Sequence, residues 1–189
     1  MNVTELFLIS YVFLWIFMIV CSIILMFFIR EKITVMKKPR NTLAYSDYGL
    51  EVGTMFPLKS LVSVQGQNIH INPLNKGTVI LFTSINCDVC KQIYPLLSKL
   101  NRKYQDISIV TMMLSEDKQM IASLIEQYKI DTPVVQVSSV EDLDAYATRR
   151  FPFAYVLSDA GHVVFKGVVN IEEHFDALIY KIKELKVAV

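Results

Sequence analysis

Charge bias is missing from this sequence: 19 lysines and arginines stand against 18 aspartates and glutamates, a formal net charge of +1 over 189 residues. Without a broad basic field nothing is available to hold a phosphate backbone, which argues against nucleic acid as a partner. Histidine and cysteine are scarce, at three residues each. His70, His162 and His174 stand far apart, and neither they nor the scattered carboxylates supply a second ligand pair for Cys87 and Cys90. A structural zinc site wants four ligands, usually as two close pairs. Internal repeats and low-complexity tracts are also absent, and the length suits one domain plus an appendage rather than two domains.

Charge disappears altogether from Leu6 to Ile29, 24 residues in a row. At about 1.5 Å of rise per residue, a helix of that length crosses a hydrocarbon core of roughly 30 Å. Residues 1–29 are therefore read as a single transmembrane anchor, with membrane lipid as the partner of residues 6–29. Residues 30–48 read as a charged, proline-containing linker and 49–189 as the folded domain. A cleaved signal peptide would place basic residues first and a small-residue cleavage site after its apolar core. Here the only charge before the span is Glu5, and Val20 to Phe28 offers no such site. Cys21, in mid-span, reads as a small apolar residue of that helix. Arg30, Lys32, Lys37, Lys38 and Arg40 follow the span and no basic residue precedes it. By the positive-inside rule this puts the domain in the cytoplasm.

The domain alternates strand and helix patterns. A first hairpin is expected from Leu58 to Val64, turning at Gln65-Gly66-Gln67 and returning from Asn68 to Ile71. Thr78 to Thr83 is short, uncharged and rich in β-branched residues, as a central strand buried on both faces requires. Lys91 to Tyr104 carries Ile93, Leu96, Leu97 and Leu100 at helical spacing. Further strands are expected over 107–114, 134–137, 153–157 and 162–168, and helices over about 117–128, 140–149 and 171–185. Alternation ending in a hairpin implies an α/β fold, a mixed sheet flanked by helices.

Cys87 and Cys90 fall between the 78–83 strand and the following helix. A helix N-terminus favours the thiolate, so the first cysteine is suited to be an exposed nucleophile and the second, set deeper, to resolve a mixed disulfide. A metal site or an inert cross-link are the other readings of the spacing.

Strand, CxxC, helix and a distant proline before a closing hairpin together resemble the thioredoxin-like superfamily. Pro95, eight residues after Cys87, stands where thioredoxins carry the proline of the active-site helix. Phe151 to Leu157 followed by Asp159-Ala160-Gly161 is similar to the stretch that holds their cis-proline, here Pro152, with Pro133 as a rival. The segment between the cysteines and Pro152 is longer than in thioredoxin and resembles the insertion of the membrane-tethered TlpA-like and redoxin group. Within that group Lys166 to Asn170 and Glu173-His174, with the N-terminal span, resemble the methylamine dehydrogenase accessory proteins of MauD type. Two positions depart from the thioredoxin pattern: Asn86 replaces the tryptophan before the first cysteine, and Leu81 replaces the buried acidic residue.

The resemblance implies a membrane-anchored thiol-disulfide oxidoreductase that forms, reduces or isomerises disulfides in a client protein. Cys87 and Cys90 would be catalytic, Phe151 and Pro152 would bind substrate, and Asp88 and Val89 would tune the redox pair. Asp88 places a negative charge beside the thiolates and so leans the pair toward reductase or isomerase chemistry. Tyr94, Phe151 and Phe153 read as core residues or as an apolar lip. No metal and no cofactor are expected; the partners are protein thiols or disulfides and a membrane electron donor. The family implies a domain outside the cytoplasm, against the charge flanks. Two alternatives fit less well. A peroxiredoxin wants Pro and Thr where Ile80 and Ser84 stand, and a copper chaperone of Sco type spaces its cysteines CxxxC and adds a histidine.

Overall fold

The computed structural model describes residues 3–37, 48–57, 61–70 and 76–187. The chain divides into two compact units, 1–40 and 41–189.

The first unit is one helix, α1 (Val3–Lys37). Its stretch Leu8–Met26 is long and apolar enough to cross a membrane, and its large side chains, Phe13 and Trp15 among them, lie exposed. A helix apolar on every side has no polar face to turn to water. The helix continues through the first eight residues of the segment read as linker; 38–47 lie outside the described residues.

The second unit is built on a five-stranded sheet in the order β5-β4-β3-β6-β7. Its strands are β3 (Thr78–Ser84), β4 (Ser108–Leu114), β5 (Val134–Val137), β6 (Phe153–Leu157) and β7 (Val163–Val168). β3, β4 and β5 run parallel, while β6 and β7 are antiparallel. β3 is central and buried along its whole length, as its unbroken apolar and β-branched run requires. The helices are α2 (Asp88–Lys103), α3 (Lys118–Tyr128) and α4 (Glu172–Val187). The β3-α2-β4 and β4-α3-β5 crossovers step the same way across the sheet, and right-handed connections then place both helices on one face. Ile93, Leu97 and Leu100 of α2, Ile121 of α3 and Leu178 and Ile182 of α4 bury together there.

Leu143, Phe56 and Ile69 cover the opposite face. Leu143 lies on a 3-10 helix (Glu141–Tyr146) where the sequence predicts a longer helix over 140–149. Ala147 closes that turn in the left-handed region at φ 49°, its N–H bonded to Asp144 O, so the helix cannot run on. Phe56 belongs to the strap entering the domain. Tyr155 Oη accepts from Leu50 N–H at 2.9 Å and donates to Tyr146 O at 2.6 Å. Lys166 Nζ donates to Gly49 O at 3.0 Å. Gly49 has φ +91° and a Cβ there would collide with the Tyr155 hydroxyl, so only glycine fits. Burial pushes Tyr155 up to about 12, keeping its hydroxyl protonated as both donor and acceptor.

A small antiparallel hairpin, β1 (Leu61–Val62) and β2 (Asn68–Ile69), matches the expected turn; 58–60 and Ile71 lie outside the described residues. Gln65 at its tip brackets Pro133, donating to Thr132 O and accepting from Val134 N–H, both at 3.1 Å. Val64 N–H adds a bond to Val134 O at 2.7 Å, tying the hairpin to β5.

Candidate functional site

β3 ends at Ser84, and a tight turn delivers the chain to α2. Ser84 O accepts from Cys87 N–H at 3.1 Å, and Ser84 Oγ accepts from Asn86 N–H at 3.3 Å. Cys87 then occupies the N-cap of α2 with an extended backbone (φ −99°, ψ 107°). Its Sγ accepts from Cys90 N–H at 3.2 Å. Serine, threonine, aspartate or asparagine usually serve there, because the first N–H groups of a helix lack partners. Sulfur in that place meets the positive end of the helix, where a thiolate is a better acceptor than a thiol.

Cys87 is half-buried, whereas Cys90 is fully buried within the cluster that contains Leu81, Ile93 and Leu97. The two are joined as a disulfide with a Cα–Cα distance of 5.2 Å. One sulfur therefore faces outward while its partner is shielded. Between them Asp88 and Val89 are exposed. Asp88 Oδ1 pairs with Lys91 Nζ at 2.8 Å, and that hydrogen bond holds the carboxyl below its ordinary range. The ammonium thus offsets the negative charge that the sequence places beside the sulfurs.

Below the pair, Tyr94 is fully buried and its ring packs on Tyr128, with centroids 5.4 Å apart. Its Oη donates to Ser84 O at 3.3 Å, the carbonyl that also holds Cys87 N–H. Burial raises the phenol, so it stays a donor; the neighbouring Thr83 hydroxyl opposes that shift in part but makes no regular hydrogen bond. Tyr94 and Phe153 are core residues, and Phe151 is half-buried. Leu81 is buried on the same sheet face as Cys90, with Thr111 directly across on β4.

Phe151-Pro152 is the one cis peptide bond among the described residues, and Pro133 is not cis. Register Phe82↔Phe153 brings Pro152 to the same end of the sheet as Ser84 and the cysteines. Pro152 is buried, and its carbonyl accepts from Val169 N–H at 3.3 Å. The roles of Ser84 and Tyr94 in holding the turn are absent from the motif reading. A serine ending the strand three residues before Cys87 is the signal that would have found the first; nothing local marks the second.

Residues 75–163 match the family model described as thioredoxin-like. Methylamine utilization protein MauD of Methylorubrum extorquens is 25% identical over 177 residues, spanning 90% of this chain and 83% of that protein. Thiol-disulfide oxidoreductase ResA of Bacillus subtilis is 27% identical over 115 residues, or 59% of this chain and 64% of that one. The solved thioredoxin domain of a thiol-disulfide oxidoreductase from Bacteroides vulgatus shares the fold with a TM-score of 0.61. It is 19% identical and covers 70% of this chain and 99% of its own.

Proposed function

We propose, from the premise that this chain belongs to the thioredoxin-like superfamily, that it is a membrane-anchored thiol-disulfide oxidoreductase working through Cys87 and Cys90. The observation that carries the reading is the asymmetry of the pair: an outward sulfur capping a helix N-terminus, bonded to a fully buried one.

In the reducing direction the Cys87 thiolate attacks one sulfur of a client disulfide. The client S–S bond breaks, its second sulfur leaves as a thiolate and takes a proton from water, and a Cys87–client disulfide forms. Cys90, deprotonated in its turn, attacks Cys87 Sγ and releases the second client thiol. Two electrons pass from the enzyme dithiol to the client, and the Cys87–Cys90 disulfide is the product. The reverse sequence, starting from that disulfide, oxidises a client dithiol. Leu81 offers Cys90 no carboxylate, so its proton goes to solvent or to the departing client. Phe151 and Pro152, at the same end of the sheet, form the proposed client-binding edge.

The helix Val3–Lys37 supports anchoring through residues 6–29. A redox tether at a membrane is of most use where clients acquire disulfides and a membrane donor can supply electrons, so the domain is placed outside the cytoplasm. The basic residues after the span argue the opposite way. Protease added to cells with an accessible inner membrane should cut residues 49–189; protection until lysis reverses the placement. For the chemistry, the full-length protein in detergent should reduce a glutathionylated peptide with dithiothreitol as electron source. Loss of that turnover in Cys87→Ser, with Cys90→Ser turned over only as fast as dithiothreitol releases its mixed disulfide, supports the reading, and undiminished turnover in Cys87→Ser refutes it.

A further inference from the structure

We propose that the cleft at the carboxyl ends of β3, β4 and β5 seats the client polypeptide beside its reacting cysteine, and that it selects a segment carrying lysine or arginine. This rests on the exchange chemistry at Cys87 proposed above.

The cleft encloses about 540 Å³, within the usual range for binding sites, and three loops wall it: 84–86, 114–117 and 138–140. The first loop ends at Asn86, the residue before Cys87, so the cleft begins one residue along the chain from the reacting cysteine. A client held at Cys87 necessarily brings the chain on either side of its own cysteine, and here is a preformed place for it. Met120 and Val140 line the cleft with 50% and 40% of their surfaces exposed, an apolar contact for the stem of a long side chain.

The charge of the lining is one-sided. Glu116 and Asp117 contribute carboxylates, and no lysine or arginine lines the cleft. Asp117 caps α3, accepting from Gln119 N–H at 2.7 Å. Among the described residues no cation or donor engages the Glu116 carboxylate, which is exposed at the rim. A basic client side chain supplies what that carboxylate lacks.

The wall that presents Glu116 is fixed in advance. Ser115 Oγ accepts from Asp117 N–H at 3.1 Å and donates to Asp117 O at 2.9 Å. From β5, Gln136 Nε2 reaches across to Ser115 O at 2.9 Å and Glu116 O at 3.3 Å. Ser139 and Asp142 cap each other's N–H groups at 3.0 and 3.2 Å on the third loop. Binding there has little loop ordering to offset.

The test uses the full-length protein in detergent and three probes: hydroxyethyl disulfide, and two glutathionylated peptides that differ only in lysines or glutamates flanking the cysteine. The lysine peptide should react about two- to fivefold faster than the glutamate peptide at low salt, the scale of one solvent-exposed charge pair. The preference should collapse in 1 M salt, as screening of roughly 3 Å range requires. Glu116→Lys should invert the ratio of the two peptides, a readout internal to each variant and so independent of its fold or yield. An unchanged ratio in Glu116→Lys, or equal rates in the wild type, overturns the cleft's role while leaving exchange intact. Failure to react with all three probes instead refutes the exchange chemistry itself.

Discussion

Tyr94→Phe removes one oxygen from the floor of the redox site, and the structure states what that oxygen does. The ring remains, with its packing on Tyr128 and in the core below Cys90. The lost bond to Ser84 O is long, at 3.3 Å, and Ser84 O keeps Cys87 N–H at 3.1 Å, so no buried acceptor is orphaned. The stability cost therefore sits at the low end for a hydrogen bond, about 0.5 kcal/mol, or roughly 1–2 °C in melting temperature for a domain of this size. Tyr94→Ala opens a cavity as well and should cost about 3–5 kcal/mol. What Tyr94→Phe should change is the turn that aims Cys90 N–H at Cys87 Sγ. A weakening of that bond by about 0.5–1 kcal/mol slows thiolate attack roughly two- to fivefold. Stopped-flow reaction of the reduced protein with hydroxyethyl disulfide at neutral pH, alongside thermal melting, checks both numbers. Wild-type attack rates in Tyr94→Phe, or a melting loss as large as that of Tyr94→Ala, would refute the tether.

Three further outcomes follow from the same geometry. Lys91→Ala should leave the exposed Asp88 carboxylate unpaired beside Cys87 and lower thiol reactivity at neutral pH about twofold, an effect that high salt erases; a faster thiol contradicts it. Leu81→Asp should destabilise the domain by at least the roughly 2–5 kcal/mol of losing a buried leucine. The loss should grow as pH rises and the buried acid is forced to ionise, a trend that denaturation at several pH values reads. Burial raises Asp176, but the hydrogen bonds of Lys103 and Tyr104, at 2.8 and 2.5 Å, outweigh this and hold it below its ordinary value. Its contribution is thus present above the unfolded aspartate value and lost as pH falls through the folded one. Asp176→Asn should melt lower than wild type at neutral pH, and the gap should narrow as pH falls below the ordinary aspartate range.

What the sequence made legible was what short spacings determine. The buried central strand, the sulfurs at a helix start and the proline opening β6 all lie within a few residues of the features that define them. The 140–149 segment misled because its residues suit a helix, yet Ala147 in the left-handed region ends it after six residues. The hidden features pair residues that are distant along the chain. Gln65 brackets Pro133 across 67 and 69 positions, and Lys166 reaches Gly49 across 117. The acidic cleft is assembled from three loops, none of which carries a motif. Asp88 was legible as a charge beside the thiols, but its neutralising partner, one turn along α2, emerged only with the helix.

The division of labour between the two sulfurs is the centre of the account, and trapping tests it most directly. Cys90→Ser and Cys87→Ser versions of the full-length protein are expressed in parallel, thiols are blocked on lysis, and disulfide-linked adducts are resolved with and without reductant. Cys90→Ser has lost the thiol that displaces the client, so mixed disulfides on Cys87 should accumulate and disappear on reduction. Of the pair, Cys87→Ser retains only the fully buried Cys90 sulfur, on which it should collect none. Equal trapping by the two variants, or adducts on Cys87→Ser alone, would contradict the assignment of Cys87 as the attacking thiol and Cys90 as the resolver.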